Sequence, residues 1–133
     1  MTHTFKLVLG AAVVVVATAI LVPWSPTPPQ TETGTATVRI DDTHTFSYSL
    51  KDGATALDAL RDLNAQDPTM RLTTKTYTGL GDLVESMYEK TNGTDERYWQ
   101  YQVNGIEAQV GASAYVLKDT DNVEWEFKAY AEQ

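Results

Sequence analysis

Tyr98-Trp99-Gln100-Tyr101-Gln102-Val103-Asn104-Gly105 is the stretch whose reading decides the fold. Side chains alternate across a strand, so Trp99, Tyr101 and Val103 share one face while Tyr98, Gln100 and Gln102 share the other. Asn104-Gly105 then supplies the left-handed backbone of a tight hairpin turn. The first face reads as core. The second carries an aromatic ring and two amides, an unusual covering for a strand that meets only solvent, and it raises the question of a ligand or partner.

Downstream of this stretch, residues 106–110 and 112–117 read as two further strands, separated by Gly111. Lys118-Asp119-Thr120-Asp121-Asn122 reads as a turn. The last strand alternates cleanly, with Val123, Trp125, Phe127 and Ala129 inward and Glu124, Glu126, Lys128 and Tyr130 outward. Upstream, residues 35–41 alternate Ala36, Val38 and Ile40 against Thr37, Arg39 and Asp41. After a turn at Asp42-Thr43, residues 44–50 point Phe46, Tyr48 and Leu50 inward, which predicts an opening hairpin. Thr55 and Asp58 form a capping-box pattern at the start of a helix whose stripe is Ala56, Leu57, Leu60 and Leu63. Residues 64–68, closing on Pro68, stop it. Residues 70–78 are Thr-rich and extended, Gly79-Leu80-Gly81 breaks them, and residues 83–88 read as another strand. Thr91-Asn92-Gly93-Thr94 is a turn that also spells an N-glycosylation sequon. Hairpin, helix, then several strands predict an α+β fold, a β-grasp-like mixed sheet with one packed helix.

The leading segment differs from the rest. Residues 7–22 form an uncharged apolar run, preceded by Lys6 and followed by Pro23 and Trp24. It reads either as a signal anchor or as a signal peptide cleaved after Ala17-Thr18-Ala19. Both place the following domain outside the cytoplasm: tethered by a single membrane helix, or secreted if the leader is cut. Pro23, Pro26, Pro28 and Pro29 make residues 23–34 an extended spacer. The folded domain is then residues 35–133.

The formal charge of −8 disfavours a nucleic-acid partner, because phosphate contacts need a basic patch. The absence of cysteine excludes disulfides, thiol nucleophiles and thiolate metal sites. His44 is the only histidine outside the leading segment, and Asp41 and Asp42 beside it fall in a turn, so no metal site is expected. Asp119-x-Asp121-Asn122 lacks the glycine and distal glutamate of a calcium loop and reads as a turn. Ser113 has no histidine base placed for it. The expectation is therefore a protein without catalytic residues or an obligate cofactor. Tyr98, Gln100, Gln102, Tyr115 and Tyr130 remain as aromatic and amide surface suited to a flat amphipathic ligand or a protein edge.

Three runs carry a resemblance: Tyr98 to Gly105, then Gly111-Ala112-Ser113-Ala114-Tyr115-Val116-Leu117-Lys118-Asp119, then Asp121-Asn122-Val123-Glu124-Trp125. With the helix start Gly53-Ala54-Thr55-Ala56-Leu57-Asp58-Ala59-Leu60, they resemble the transcobalamin-like C-terminal domain family. These are small extracytoplasmic domains, one of which packs on one side of the corrinoid in vitamin B12 carriers while a helical barrel holds the other. This chain has no such barrel. The resemblance implies a non-catalytic binding module with cobalamin as a candidate ligand, and it matches Trp99 and Gln100 to the carriers' Trp-Gln strand. The implied ligand-binding residues are Tyr98, Trp99, Gln100 and Tyr115. The alternative is a monomeric surface domain for protein interaction or adhesion, displayed on the proline stalk. Trp99 is claimed by both core and ligand, and a fully buried ring cannot serve both.

Overall fold

The computed structural model describes residues 31–131. The apolar run 7–22 and most of the proline-rich spacer lie outside the described residues. No helix among the described residues is long and apolar enough to cross a membrane.

The opening hairpin pairs β1 (Glu32–Ile40) with β2 (His44–Lys51). β1 begins three residues before the alternation that starts at Thr35. The helix α1 (Ala56–Gln66) carries the predicted capping box: Asp58 N donates to Thr55 Oγ1 at 3.1 Å, and Thr55 N donates to the Asp58 carboxylate at 3.0 Å. These bonds satisfy backbone donors that a helix start otherwise leaves open. A single 3₁₀ turn, Pro68–Met70, ends this layer. Then come β3 (Thr73–Tyr77), β4 (Gly81–Met87) and the short β5 (Lys90–Thr91). They are followed by β6 (Arg97–Val103), β7 (Ile106–Glu107) and β8 (Asn122–Ala129).

The main sheet has the order β2-β1-β8-β6-β7, with β8 parallel to β1 and antiparallel to β6. Its inner face supplies Val38, Ile40, Leu50, Trp99, Val123 and Trp125 to a core shared with Leu57, Leu60 and Leu63 of α1. The expected α+β arrangement of a mixed sheet, an opening hairpin and one packed helix is present. The single sheet is a correction. β3, β4 and β5 form a second, three-stranded sheet that adds Val84 and Met87 to the core.

The second correction lies at residues 106–117, where two strands were expected. Only Ile106 and Glu107 pair with β6. Residues 112–117 instead cross the start of α1, where Ala56 N donates to Tyr115 O at 2.9 Å and Leu57 N to Ala112 O at 3.0 Å. Residues 112–114 form a turn and Val116 makes one isolated bridge to Thr55, so the run gives its carbonyls to the helix start and pairs with no strand of either sheet. Period-two alternation does not distinguish the two.

Strand directions give the domain two unlike ends. At one end the described chain begins, α1 starts, and the β3–β4 and β6–β7 turns fold against residues 108–116. There, the side of Gly111 faces Leu80 O and that of Gly81 faces Ser113 Oγ. The other end holds the Asp41-Asp42 turn, the Tyr88-Glu89 turn and the 3₁₀ turn. It is tied together by an ion pair between Lys90 and Asp41 and by the His44 ring stacked on Tyr88 at 3.9 Å.

Candidate functional site

β6 places its two faces as the alternation predicts, and the burial of Trp99 settles where its ring goes. Trp99 is only 7 % exposed. Its indole Nε1 donates to Lys90 O at 2.8 Å, its backbone N donates to Asn92 Oδ1 at 2.8 Å, and its ring lies against Phe127 at 5.3 Å. Each polar and apolar group of this residue is taken up inside the domain. The other amide hydrogen-bonding group of Asn92, Nδ2, donates to Val84 O at 2.8 Å. The sequon nitrogen is thus committed to a structural bracket between β4 and β6.

On the outward face Tyr98 stacks on Tyr130 at 5.0 Å. Gln100 Nε2 donates to Lys128 O at 3.0 Å, and Gln102 Nε2 donates to Glu124 at 2.8 Å. The structure does not bring Tyr115 to this face. Of the residues singled out in the sequence, Tyr98 and Gln100 stay together, Trp99 lies beneath them in the core, and Tyr115 sits at the opposite end of β6.

Tyr115 lines a largely apolar hollow, a groove of about 360 Å³ between the β6–β7 hairpin and residues 108–110. Its walls are Val103, Ile106, Ala108 and Val110; its polar groups come from Asn104, Glu107, Gln109 and Tyr115. Ile106 is 72 % exposed and Val110 49 %. The hairpin turn is built as the sequence requires: Asn104 and Gly105 take φ of 52° and 81°, the left-handed pair of a two-residue turn. The groove's far wall is pinned by Tyr101, whose hydroxyl donates to Val110 O at 2.6 Å and whose phenol burial pushes up to about 12.

Asp121 holds the groove together and is the residue that sequence reasoning missed. It is 5 % exposed. Its carboxylate accepts from Asn104 Nδ2 at 2.9 Å, from the Tyr115 hydroxyl at 3.1 Å and from Lys118 N at 2.9 Å. Burial first, and this hydrogen bond second, raise the Tyr115 phenol above its ordinary value. Asn104 is fixed a second time by exchanging backbone and side-chain bonds with Asn122. A Lys-Asp-x-Asp-Asn run looks like any polar turn, and only its partners outside the turn, Tyr115 and the more distant Asn104, reveal its burial. The one local hint was two carboxylates and an amide crowded immediately before the apolar last strand.

A second hollow, of about 320 Å³, lies on the far side of the sheet edge and is lined by Tyr48, Lys51, Asp58, Arg61 and Asp62. Burial raises the Asp62 carboxyl, but the Lys51 ammonium at 2.6 Å and the Tyr48 hydroxyl at 2.7 Å outweigh it and hold it below its ordinary value of 3.8. A depressed folded value contributes stability above the unfolded value, and that contribution is lost as pH falls through the folded one. Urea melts between about pH 2 and pH 6 should therefore show a shallower acid limb for Asp62→Asn than for the wild type. Identical acid limbs would remove Asp62 from the account.

A family model described as a domain of unknown function, DUF4430, matches residues 53–129, more than half of the chain. No curated protein matches the sequence. Among solved structures, haptocorrin in complex with Cbi superposes with a TM-score of 0.62 at 17 % identity, covering 73 % of this chain and 25 % of haptocorrin. The chain thus spans about a quarter of that protein. A Ruminococcus gnavus protein named for a suggested metal-binding role superposes with a TM-score of 0.48 at 16 % identity, covering 73 % of this chain and 96 % of that one. At 17 % identity the likeness to haptocorrin is one of fold alone, and in that sense the domain resembles a transcobalamin-like fold.

Proposed function

Because the chain belongs to the DUF4430 family, whose function is not defined, we propose from its own geometry that it is a non-catalytic, extracytoplasmic module that binds a small amphipathic ligand. The observation that carries this reading is the groove beside the β6–β7 hairpin. It is an apolar trough with a few polar groups at fixed positions, the usual composition of a small-molecule site. The fold shared with haptocorrin, in a complex with Cbi, supports a corrinoid as the ligand to try first. Ile106 and Val110 would cover one apolar face of it, while Gln109 and Glu107 would meet polar groups at its edge.

This reading moves the ligand away from the Tyr98–Trp99–Gln100 strand and keeps Tyr115. Titrating the full chain with cobalamin should give saturable heat and a rise in melting temperature. A ligand present at 100 times its Kd stabilises by about 2.7 kcal/mol. Combining Ile106→Ser with Val110→Ser should abolish both effects while leaving the ligand-free melt nearly unchanged, since both side chains are exposed. No heat and no shift at millimolar cobalamin would remove the corrinoid from the reading.

A second reading has its own observation. The outward face of β6 and β8 carries the Tyr98–Tyr130 stack, with Tyr130 64 % exposed, beside Gln100. Such a face suits a protein contact, as a surface-interaction domain would use. Tyr98→Ala and Tyr130→Ala would weaken that contact and leave groove binding intact.

A further inference from the structure

The described residues expose six large apolar side chains, and five of them gather at one end, Tyr77 beside the β3–β4 turn among them. Leu80 caps the β3–β4 turn, Ile106 the β6–β7 hairpin, and Val110 and Val116 the crossing loop. They are 64 %, 72 %, 49 % and 50 % exposed. Gly111, the residue after Val110, lies against Leu80 O, and Val110 and Ile106 share the groove. The opposite end is polar, with Asp41, Asp42, Arg71 and Glu89, and holds only Tyr130 of the six. A domain of net charge −8 that confines its exposed aliphatic side chains to one end is polarised.

The chain arrives at this same end. Residues 32–36 of β1 run past the start of β8, where Thr35 N donates to Asp119 and Thr120 N donates to Thr35 O. Ahead of that point stand a proline-rich spacer and the uncharged run 7–22. Nine residues, 23–31, reach at most about 32 Å even when fully extended. A tether that short keeps the end it joins nearest to whatever holds residues 7–22.

We infer that this apolar end is a membrane-facing surface, with Leu80, Ile106 and Val110 dipping into the lipid interface beside the chain's own anchor. The inference rests on reading residues 7–22 as a membrane anchor and describes the ligand-free domain, because Ile106 and Val110 meet either lipid or a groove ligand. Aliphatic tips at hairpin turns reach the headgroup boundary without opening any backbone hydrogen bond, because the hairpins stay paired. An acidic body would be repelled by anionic lipid, so a zwitterionic surface is the matching one.

The absence of cysteine makes the test clean. Single variants Ile106→Cys, Val110→Cys and Tyr130→Cys of the full chain, each carrying a nitroxide, are reconstituted into ligand-free phosphatidylcholine vesicles. Their collision rates with oxygen and with a water-soluble nickel chelate are then compared. Tyr130 is the control, an exposed apolar position at the far end. The inference expects an oxygen-to-nickel ratio several-fold higher at 106 and 110 than at 130. Equal, water-like ratios at all three positions in vesicles that float with the protein would overturn it and leave the anchor standing. Exclusion of both reagents at 106 and 110 would also overturn it, in favour of a protein contact. A chain that does not float with the vesicles would overturn the anchor, and this inference with it.

Discussion

Replacing Asp121 with alanine is expected to destabilise the domain by about 3 kcal/mol, because it strands donors that the fold has buried around one carboxylate. Asn104 Nδ2, the Tyr115 hydroxyl and Lys118 N all donate to it, and the residue is 5 % exposed. A hydrogen bond to a charged group contributes about 1.5–3 kcal/mol, and partial access of water to the freed donors lowers the sum. In a domain of about 100 residues each kcal/mol shifts the melting temperature by roughly 4–8 °C, so a loss of more than 10 °C is expected. Asp121→Asn keeps one oxygen acceptor and should lose less. The effect reaches function because Asn104 and Tyr115 line the groove. At temperatures where Asp121→Ala remains folded, its ligand affinity should fall as well. An unchanged melting temperature would show that Asn104 and Tyr115 find other partners, and the carboxylate would lose its place at the centre of the site.

Trp99→Ala is expected to cost about 3–5 kcal/mol, the range for removing a large aromatic from a packed core. The finer comparison uses phenylalanine at both buried tryptophans. Trp99 Nε1 donates to Lys90 O, whereas Trp125 Nε1 is buried without a hydrogen-bond partner among the described residues. Both changes remove a similar volume, but only Trp99→Phe also breaks a hydrogen bond. Trp99→Phe should therefore be the more destabilising of the two by about 1 kcal/mol, although Trp125 is the more deeply buried. If Trp99 were ligand-facing, Trp99→Phe would instead change affinity with little change in the ligand-free melt. Urea denaturation and ligand titration of the same two variants separate the alternatives.

The elements that the sequence made legible are those with a one-sided pattern. β6 and β8 alternate because one face meets the core, Thr55 and Asp58 name their own helix start, and Asn104-Gly105 fits one kind of turn. β3 was read only as extended because all five of its residues are exposed, leaving no inward face to mark it as part of a second sheet. Residues 112–117 were misassigned because small residues with a few spaced apolar ones describe a strand and a helix-capping crossing equally well. In the site, Tyr115 was legible as a surface aromatic, but its separation from Tyr98 and Gln100 was not. They belong to one strand and to a loop that meets that strand at its opposite end. Asp121 was hidden for a related reason. Its burial depends on Asn104 and Tyr115, and local sequence carries no record of which distant donors will converge on a carboxylate. Ile106 and Val110 were read as strand residues, and only the short pairing of β7 exposes them as the walls of a groove.

The placement of the ligand is tested most directly by mapping amide resonances of the ¹⁵N-labelled full chain during titration with cobalamin. The expected result is a set of saturable shifts on Val103 to Val110 and on Tyr115, with Tyr98, Gln100 and Tyr130 unmoved. Shifts centred on Tyr98, Gln100 and Tyr130, with the β6–β7 hairpin silent, would contradict the account.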